Sequence, residues 1–600
     1  MEIKRLIQET DFESALSQLV TVVRREEDPD DLLYYSTLAE KIPVEAYVAR
    51  GLLHKKIAVL GGYSTQMISG LLRVELLKRG IYPTLFEGEY GTLESLIYSR
   101  DPALKNFGPD LTFFCVGGEH LGTGTIDEEI ARWMTLWRET RDFLGGEIIQ
   151  NTFEEPRHLP FGNFELKAEA SRLRFVRELN LRLGVEAPAY VHFNDVDRLA
   201  SFVGRRAWRD ERLYDMAKFP VAHAYLPMYV RNVATVISSV FGGGKKCLVL
   251  DLDNTLWGGV IGDDGLDGIQ IGEGSPSGEA YKRFQHYIKS LKDRGVLLAV
   301  CSKNDESIAK EPFRSRPEMI LKLEDFASFQ ANWDPKPQNL ERIARELNIG
   351  IDSLVFVDDN PAERDIVRKL ASGVTVVELP ADPAEYTTVL AEDRHFEPVL
   401  FTKEDGERGE QYRANSQRKA LESNISDYSV FLESLEMVAE IAPFDRLHFP
   451  RIAQLINKTN QFNLTTKRYT EQNVAEMAAD ARYLTRYVKL TDKFGDNGLI
   501  SVFIAKRASD TDFAIDSWLM SCRVLKRDVE RLLFCEVAAA LRASGARNLV
   551  GEYLPTAKNA LVKNLLADLG FREANGKWIS DLTKVPSYAG PISLKNPRTE

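Results

Sequence analysis

The 600-residue chain has few cysteines, no long apolar run and no excess of positive charge. Each shortage excludes something. The five cysteines, at positions 115, 247, 301, 522 and 535, have no zinc-ligand spacing and make no disulfide framework. No run of 18 apolar residues occurs, so no membrane-spanning helix is expected. A net charge of −12 argues against nucleic acid as the main partner. It also means that an acidic partner would need a local basic patch. Repeats and low-complexity tracts are absent. The first residues, MEIKRLIQETDFESAL, form an acidic amphipathic pattern and not a signal peptide. A cytoplasmic protein is therefore expected.

Apolar residues make up 44% of the chain and charged residues 28%, as in ordinary soluble proteins. The length exceeds what one core holds and predicts several domains. Residues 1–48 read as two or three short helices. Residues 49–241 read as an α/β domain, with strands at 57–60, 85–87, 111–116 and 147–152 and a helix at 67–79. Strands alternating with helices imply a parallel sheet. Gly242, Gly243 and Gly244 form a flexible joint. A second α/β domain is expected over 245–395, a polar linker over 396–430, and a mixed α+β block over 431–600.

The second domain opens on KKCLVLDLDNTLWGGV. Cys247, Leu248, Val249 and Leu250 make a short apolar run, as a buried parallel strand should. It ends in Asp251-Leu252-Asp253-Asn254-Thr255. Carboxylates at i and i+2 leave a strand on the same side. Such a pair persists only with a cation, a shared proton or full solvation. A solvated loop would satisfy it; at the carboxyl end of a parallel strand, a hard cation also does.

Three later segments bear on that choice. Residues 296–300 form an apolar run ending in Cys301-Ser302-Lys303-Asn304. Lys336 stands between Pro335 and Pro337 before a helical pattern at 338–347. Residues 354–357 form a third apolar run ending in Asp358-Asp359-Asn360-Pro361. The order of these four motifs resembles that of the haloacid dehalogenase (HAD) superfamily of phosphotransferases. The resemblance implies a Rossmann-like fold, and the short gaps between motifs leave no room for more than a minimal cap. It implies that Asp251 is the nucleophile and Asp253 the general acid and base. Mg2+ would sit on Asp251, on Asp253 through its backbone carbonyl, and on Asp358, with Asp359 supporting it or orienting Lys336. Ser302 and Lys336 would hold the phosphoryl oxygens, with Thr255 a further candidate. Read alone, Ser302 would cap a helix ahead of Asp305.

The first domain resembles an SGNH-type hydrolase, because Ser64 follows Gly61-Gly62-Tyr63 after the first strand. His192, Asp195 and His223 lack the spacing of that family's base, and a serine without a base is barely nucleophilic. Ser64 is therefore expected to cap a helix in a binding fold. The last block resembles a GNAT-type acyltransferase, whose strand-to-helix loop would be SWLMSCRVLKRD at 517–528. The glycines usual in that loop are missing, but Arg523, Lys526 and Arg527 could meet the phosphate of a pantetheine arm.

The strings DLDNTLWGGVIGDDG, VCSKND, VFVDDNPAER, NKTNQFNLTTKRY, KFGDNGLIS and SWLMSCRVLKR together resemble the FkbH-like family. That resemblance implies an enzyme that dephosphorylates 1,3-bisphosphoglycerate and loads the glyceryl group onto an acyl carrier protein for polyketide-type biosynthesis. Alternatives are a lactyl-type transferase and a small-metabolite phosphatase. If Asp251 cleaved the acyl phosphate first, the activation needed for thioester formation would be lost. Asp251 is therefore expected to remove the ester phosphate while a thiol attacks the carboxyl carbon. That thiol is Cys301, Cys522 or the carrier's own. Asn457, Asn460, Gln461 and Asn463 could contact a glyceryl group or merely build a turn.

Overall fold

The computed structural model describes residues 2–399, 418, 421, 427–459, 461–521, 524–556, 559–574 and 576–595. It divides into two compact units, Met1–Gly243 and Gly244–Glu600. Among the described residues, no helix is long and apolar enough to cross a membrane.

The first unit begins with four short helices, Glu2–Gln8, Phe12–Val23, Pro29–Ala39 and Val44–Ala49. The sequence pattern suggested two or three. Asp11 and Asp28 cap the second and third through their carboxylates, which stops the helices from merging. A sheet follows, built from β1 (Leu53–Gly61), β2 (Ile81–Glu87), β3 (Leu111–Cys115), β4 (Glu147–Asn151) and β5 (Val191–Asn194). Its order is β2-β1-β3-β4-β5, with every pair parallel. Alternate residues of β1 enter different cores. Ile57 and Val59 join the layer that holds the first helices, and Ala58 and Leu60 face Trp133 and Trp137.

The second unit opens with another parallel sheet. Its strands are β6 (Cys247–Leu250), β7 (Leu297–Ser302), β8 (Phe326–Ala331), β9 (Leu354–Val357) and β10 (Thr375–Val376), in the order β10-β9-β6-β7-β8. Helices cover both faces, so the strands read as continuous apolar runs. β6 is central, flanked by β7 and β9. The loops that follow these three strands therefore open side by side at the carboxyl edge.

The C-terminal sheet has eight strands: β11 (Met437–Ala442), β12 (Tyr483–Asp492), β13 (Gly495–Arg507), β14 (Asp512–Met520), β15 (Asn548–Gly551), β16 (Arg572–Ala574), β17 (Lys577–Asp581) and β18 (Ile592–Leu594). Their order is β16-β17-β15-β14-β13-β12-β11-β18. β14 and β15 pair only over Asp512 to Ala514, and beyond that they diverge. The chain's own residues 462–464 fill the opening. Leu464 N donates to Trp518 O (3.1 Å) and Met520 N to Phe462 O (3.1 Å) on one side. Leu554 N donates to Leu464 O (2.9 Å) and Asn559 Nδ2 to Asn463 O (2.9 Å) on the other.

This accounts for two of the asparagines of NKTNQFN. Asn463 is fully buried; its Nδ2 donates to Thr459 O and its Oδ1 accepts from Thr466 N. Asn457 donates to Tyr469 O. Asn460 lies outside the described residues. Asn457 and Asn463 serve turn and strand chemistry. Replacing Asn463 with alanine should destabilise the protein by about 1–3 kcal/mol, since it orphans buried backbone groups. Urea unfolding followed by intrinsic tryptophan fluorescence measures this.

Candidate functional site

The site is built at the carboxyl ends of β6, β7 and β9. Asp251 continues β6 and donates its N–H to Val357 O (3.0 Å), which locks it to β9. The chain then turns at Asn254, which adopts the left-handed conformation (φ 53°). Two tyrosine hydroxyls, of Tyr281 and Tyr386, donate to the Asn254 carbonyl at 3.4 and 3.2 Å. A second turn at Gly259 (φ 90°) brings the Ile261 N–H back onto Asp253.

Asp251, Asp358 and Asp359 each offer a carboxylate oxygen within 4.8 Å of the others. Asp358 follows β9 and is fully buried. Lys336 opens the helix Lys336–Glu346, where the flanking Pro337 suits the first turn. Its ammonium reaches Asp251 Oδ2 at 2.8 Å and Asp358 Oδ2 at 2.5 Å. Burial works against the Lys336 charge, but the two carboxylates outweigh it and hold its pKa above the ordinary value. Burial, then the charge of Asp251, raises Asp358 to about 6. Asp359 is also raised, by burial and then by Asp251.

One cation among three carboxylates leaves the site short of positive charge. Asp251 Oδ1 is buried without a hydrogen-bond partner. That orphaned oxygen, beside two further carboxylates, fits a divalent cation. The all-oxygen donor set suits Mg2+. Mg2+ binding requires Asp358 as the carboxylate, so affinity should fall as pH drops through about 6. Calorimetric titration of Mg2+ across that range checks this.

Arg364 was not singled out from the sequence. It lies in the helix Pro361–Leu370, is 6% exposed, and donates to the carbonyls of Asp358 and Asp359, each at 2.7 Å. It fixes the acidic loop from behind. Its place in VFVDDNPAER was visible, but its targets are backbone atoms that no side-chain pattern reveals.

The remaining candidates divide. Ser302 closes β7 and is buried beside the site; the cap position before the next helix is held by Asp305. Thr255 Oγ1 accepts the Asp359 N–H at 3.3 Å, so it ties two loops together. Asp253 is outside the three-carboxylate cluster. Its Oδ1 accepts from Trp257 Nε1 and Ile261 N (3.0 Å each), and its Oδ2 accepts from Asn304 Nδ2 (3.1 Å). Its pKa is nevertheless raised, mainly by burial.

Cys301 does not face the site. It packs with Cys247, Val249 and Ala299, and its Sγ lies 3.8 Å from the Lys336 carbonyl. Burial pushes its thiol far above the ordinary value, so it is a poor nucleophile. The C-terminal cations also differ from expectation. Arg527 is buried on Asp492 at 3.1 Å, with Arg418 on the same carboxylate at 2.6 Å. A buried ion pair holds Arg527 away from any phosphate. Lys526 is exposed. Cys522 and Arg523 lie outside the described residues. The helix Val529–Ala543 carries Asp528 at its cap and Glu530 in its first turn, both unfavourable to an anion there.

In the first unit, the Ser64 hydroxyl donates to the Ala217 carbonyl. It does not cap the helix Gln66–Lys78, whose cap residue is Thr65. His192 pairs with Glu147 (2.9 Å) and His223 approaches Asp30 (3.6 Å), while Asp195 caps the helix Val196–Val203. None of the three is brought to Ser64.

Residues 56–238 match the family model described as FkbH, N-terminal domain. The N-terminal part of the protein BF1531 from Bacteroides fragilis, containing a phosphatase domain complexed with Mg, is 34% identical with a TM-score of 0.58. The match covers 63% of this chain and 100% of that one. The chain carries an FkbH N-terminal-type domain and a HAD-type phosphatase-like domain. Its second unit thus has a HAD-type phosphatase or phosphotransferase site, which makes it an enzyme. The chain is also similar to the ribosomal-protein-S18-alanine N-acetyltransferase of Escherichia coli, at 18% identity and a TM-score of 0.20, over 25% of this chain and 96% of that one. It is also similar to spermidine N-acetyltransferase from Vibrio cholerae, at 13% identity and 0.21, over 24% and 97%. No match is found among curated proteins.

Proposed function

We propose that the enzyme removes the phosphoryl group of a small phosphorylated metabolite, with Asp251 as nucleophile and Mg2+ as cofactor. The observation that carries this is the set of buried Asp251 and Asp358 and half-buried Asp359, with Lys336 between the first two. When bound, Mg2+ supplies charge that lets an anionic nucleophile meet an anionic phosphate. Asp251 attacks phosphorus, the P–O bond to the leaving group breaks, and an aspartyl phosphate forms. Asp253 protonates the leaving oxygen and then takes a proton from the water that hydrolyses the aspartyl phosphate. Lys336 and Ser302 hold the phosphoryl oxygens, and Thr255 and Arg364 hold the loops.

A second reading has one specific observation in its favour, the FkbH N-terminal domain match over 56–238. On this reading the substrate is 1,3-bisphosphoglycerate and the glyceryl group passes to the phosphopantetheine thiol of an acyl carrier protein. Asp253 favours removal of the ester phosphate, because an alkoxide leaving group needs a proton and an acyl phosphate does not. The carrier thiol, directly or by way of Cys522, attacks the carboxyl carbon and expels its phosphate. Lys526 and Arg523 remain candidates for contact with the pantetheine phosphate.

Incubation with 1,3-bisphosphoglycerate and Mg2+, with and without a carrier protein, separates the two. Phosphate release without any change in carrier mass supports the phosphatase alone. A glyceryl-carrier adduct supports the transferase. No phosphate release from this or any small phosphate ester would contradict both.

A further inference from the structure

Asp253 is held more tightly than an acid that merely faces solvent. Both oxygens of its carboxylate accept hydrogen bonds, and they do so unequally. Oδ1 accepts two, from the indole N–H of Trp257 and the backbone N–H of Ile261, at 3.0 Å each. A carboxylate oxygen has two lone-pair sites, so Oδ1 is full. Oδ2 accepts one, from Asn304 Nδ2 at 3.1 Å, which leaves it one site.

We propose that Trp257 and Asn304 are positioning residues that turn Asp253 so that only Oδ2 can carry the proton to the leaving group. This rests on the reading of Asp253 as general acid. The two residues reach the carboxylate from different elements. Trp257 comes from the loop after β6, is fully buried, and meets Phe313 edge-on with ring centroids 5.6 Å apart. Packing therefore fixes the indole, and the indole fixes Oδ1. Asn304 comes from the loop after β7, two residues beyond Ser302, and is 5% exposed. It spans from the strand that carries Ser302 to the carboxylate of Asp253, so the acid and that serine are held in one frame. Neither residue belongs to the three-carboxylate cluster.

The consequence is a substrate preference. A proton held at one defined atom matters most for a poor leaving group, such as the alkoxide of a phosphate monoester. It matters little for an acidic phenol or the carboxylate of an acyl phosphate, which depart unprotonated. The arrangement therefore suits phosphate esters of alcohols.

The test is leaving-group dependence in Trp257→Phe, Asn304→Leu and Asp253→Asn, each saturated with Mg2+. An alkyl phosphate is compared with an aryl phosphate of an acidic phenol. Asp253→Asn should lose about 10²-fold or more in kcat/KM, which reports formation of the aspartyl phosphate and not its hydrolysis, on the alkyl ester and far less on the aryl ester. Trp257→Phe and Asn304→Leu should each lose about 10-fold in kcat/KM on the alkyl ester, with kcat/KM on the aryl ester little affected. Asn304→Ser, which restores a donor, should recover part of the loss. If kcat/KM of Asp253→Asn falls equally on both esters, the reading of Asp253 as acid fails. If Asp253→Asn discriminates but Asn304→Leu and Trp257→Phe do not, the positioning proposal fails. Should Trp257→Phe not fold, Asn304→Leu decides alone.

Discussion

Replacing Lys336 with methionine is expected to destabilise the metal-free protein by about 3–5 kcal/mol, the cost of leaving buried charge without its partner. Lys336 is 2% exposed and lies between Asp251 and Asp358. Methionine keeps the length and the apolar stem but removes the charge. Two buried carboxylates then face each other with nothing between them. The sign with pH follows from Asp358, whose pKa is already raised to about 6. Lys336 is one of the influences that hold Asp358 down, so in the variant Asp358 is raised further and the deficit is full only well above that pH. Below it Asp358 takes a proton, and the gap between variant and parent narrows. Mg2+ should restore part of the stability, because it supplies charge to the same oxygens. Urea unfolding at pH 5 and 8, with and without Mg2+, measures all of this. Equal stability of parent and variant at pH 8 without Mg2+ would contradict the electrostatic account.

Asp251→Asn should act on chemistry more than on folding. It removes the nucleophile and should lower phosphate release by about 10⁴-fold or more, as loss of an attacking residue does. It also removes one of three repelling carboxylates, so the folded state should not suffer. Phosphate release measured beside a thermal melt separates the effects. A large loss of activity with an unchanged or higher melting temperature is expected; activity within tenfold of the parent would contradict the assignment. With 1,3-bisphosphoglycerate, the transferase reading adds that phosphoglyceryl-protein should still form in this variant and should keep its ester phosphate.

The strand ends were legible in the sequence, because a buried parallel strand that stops on a carboxylate, a serine or a second acidic pair leaves a sharp polar boundary. Asp251, Ser302 and Asp358 stand out in this way, and Lys336 does so between its two prolines. β5 and β8 were missed for the opposite reason. VHFN and FASFQA mix polar and apolar residues, since these strands lie at the sheet edges and are only partly covered. Partnerships were harder still. Arg527 read as a free cation, but its partner Asp492 lies 35 positions away. Cys301 adjoins Ser302 in the sequence, but strand alternation sends its thiol into the core. Trp257, Asn304 and Arg364 sat inside the motif strings, yet their roles depend on where three loops meet. Asn463 could be read as a turn residue or as a ligand contact, because asparagine serves both equally well.

The central claim is that Asp251 takes the phosphoryl group. Asp253→Asn should slow hydrolysis of the aspartyl phosphate, so it is the variant in which to trap it. The decisive measurement is the mass of the peptide containing Asp251 after rapid acid quench of this variant with an aryl phosphate, whose leaving group needs no acid, and Mg2+. A phosphoryl adduct on that peptide, absent when Asp251 is also replaced, is the predicted result. Turnover with no adduct on Asp251, or an adduct on another residue, would contradict the account.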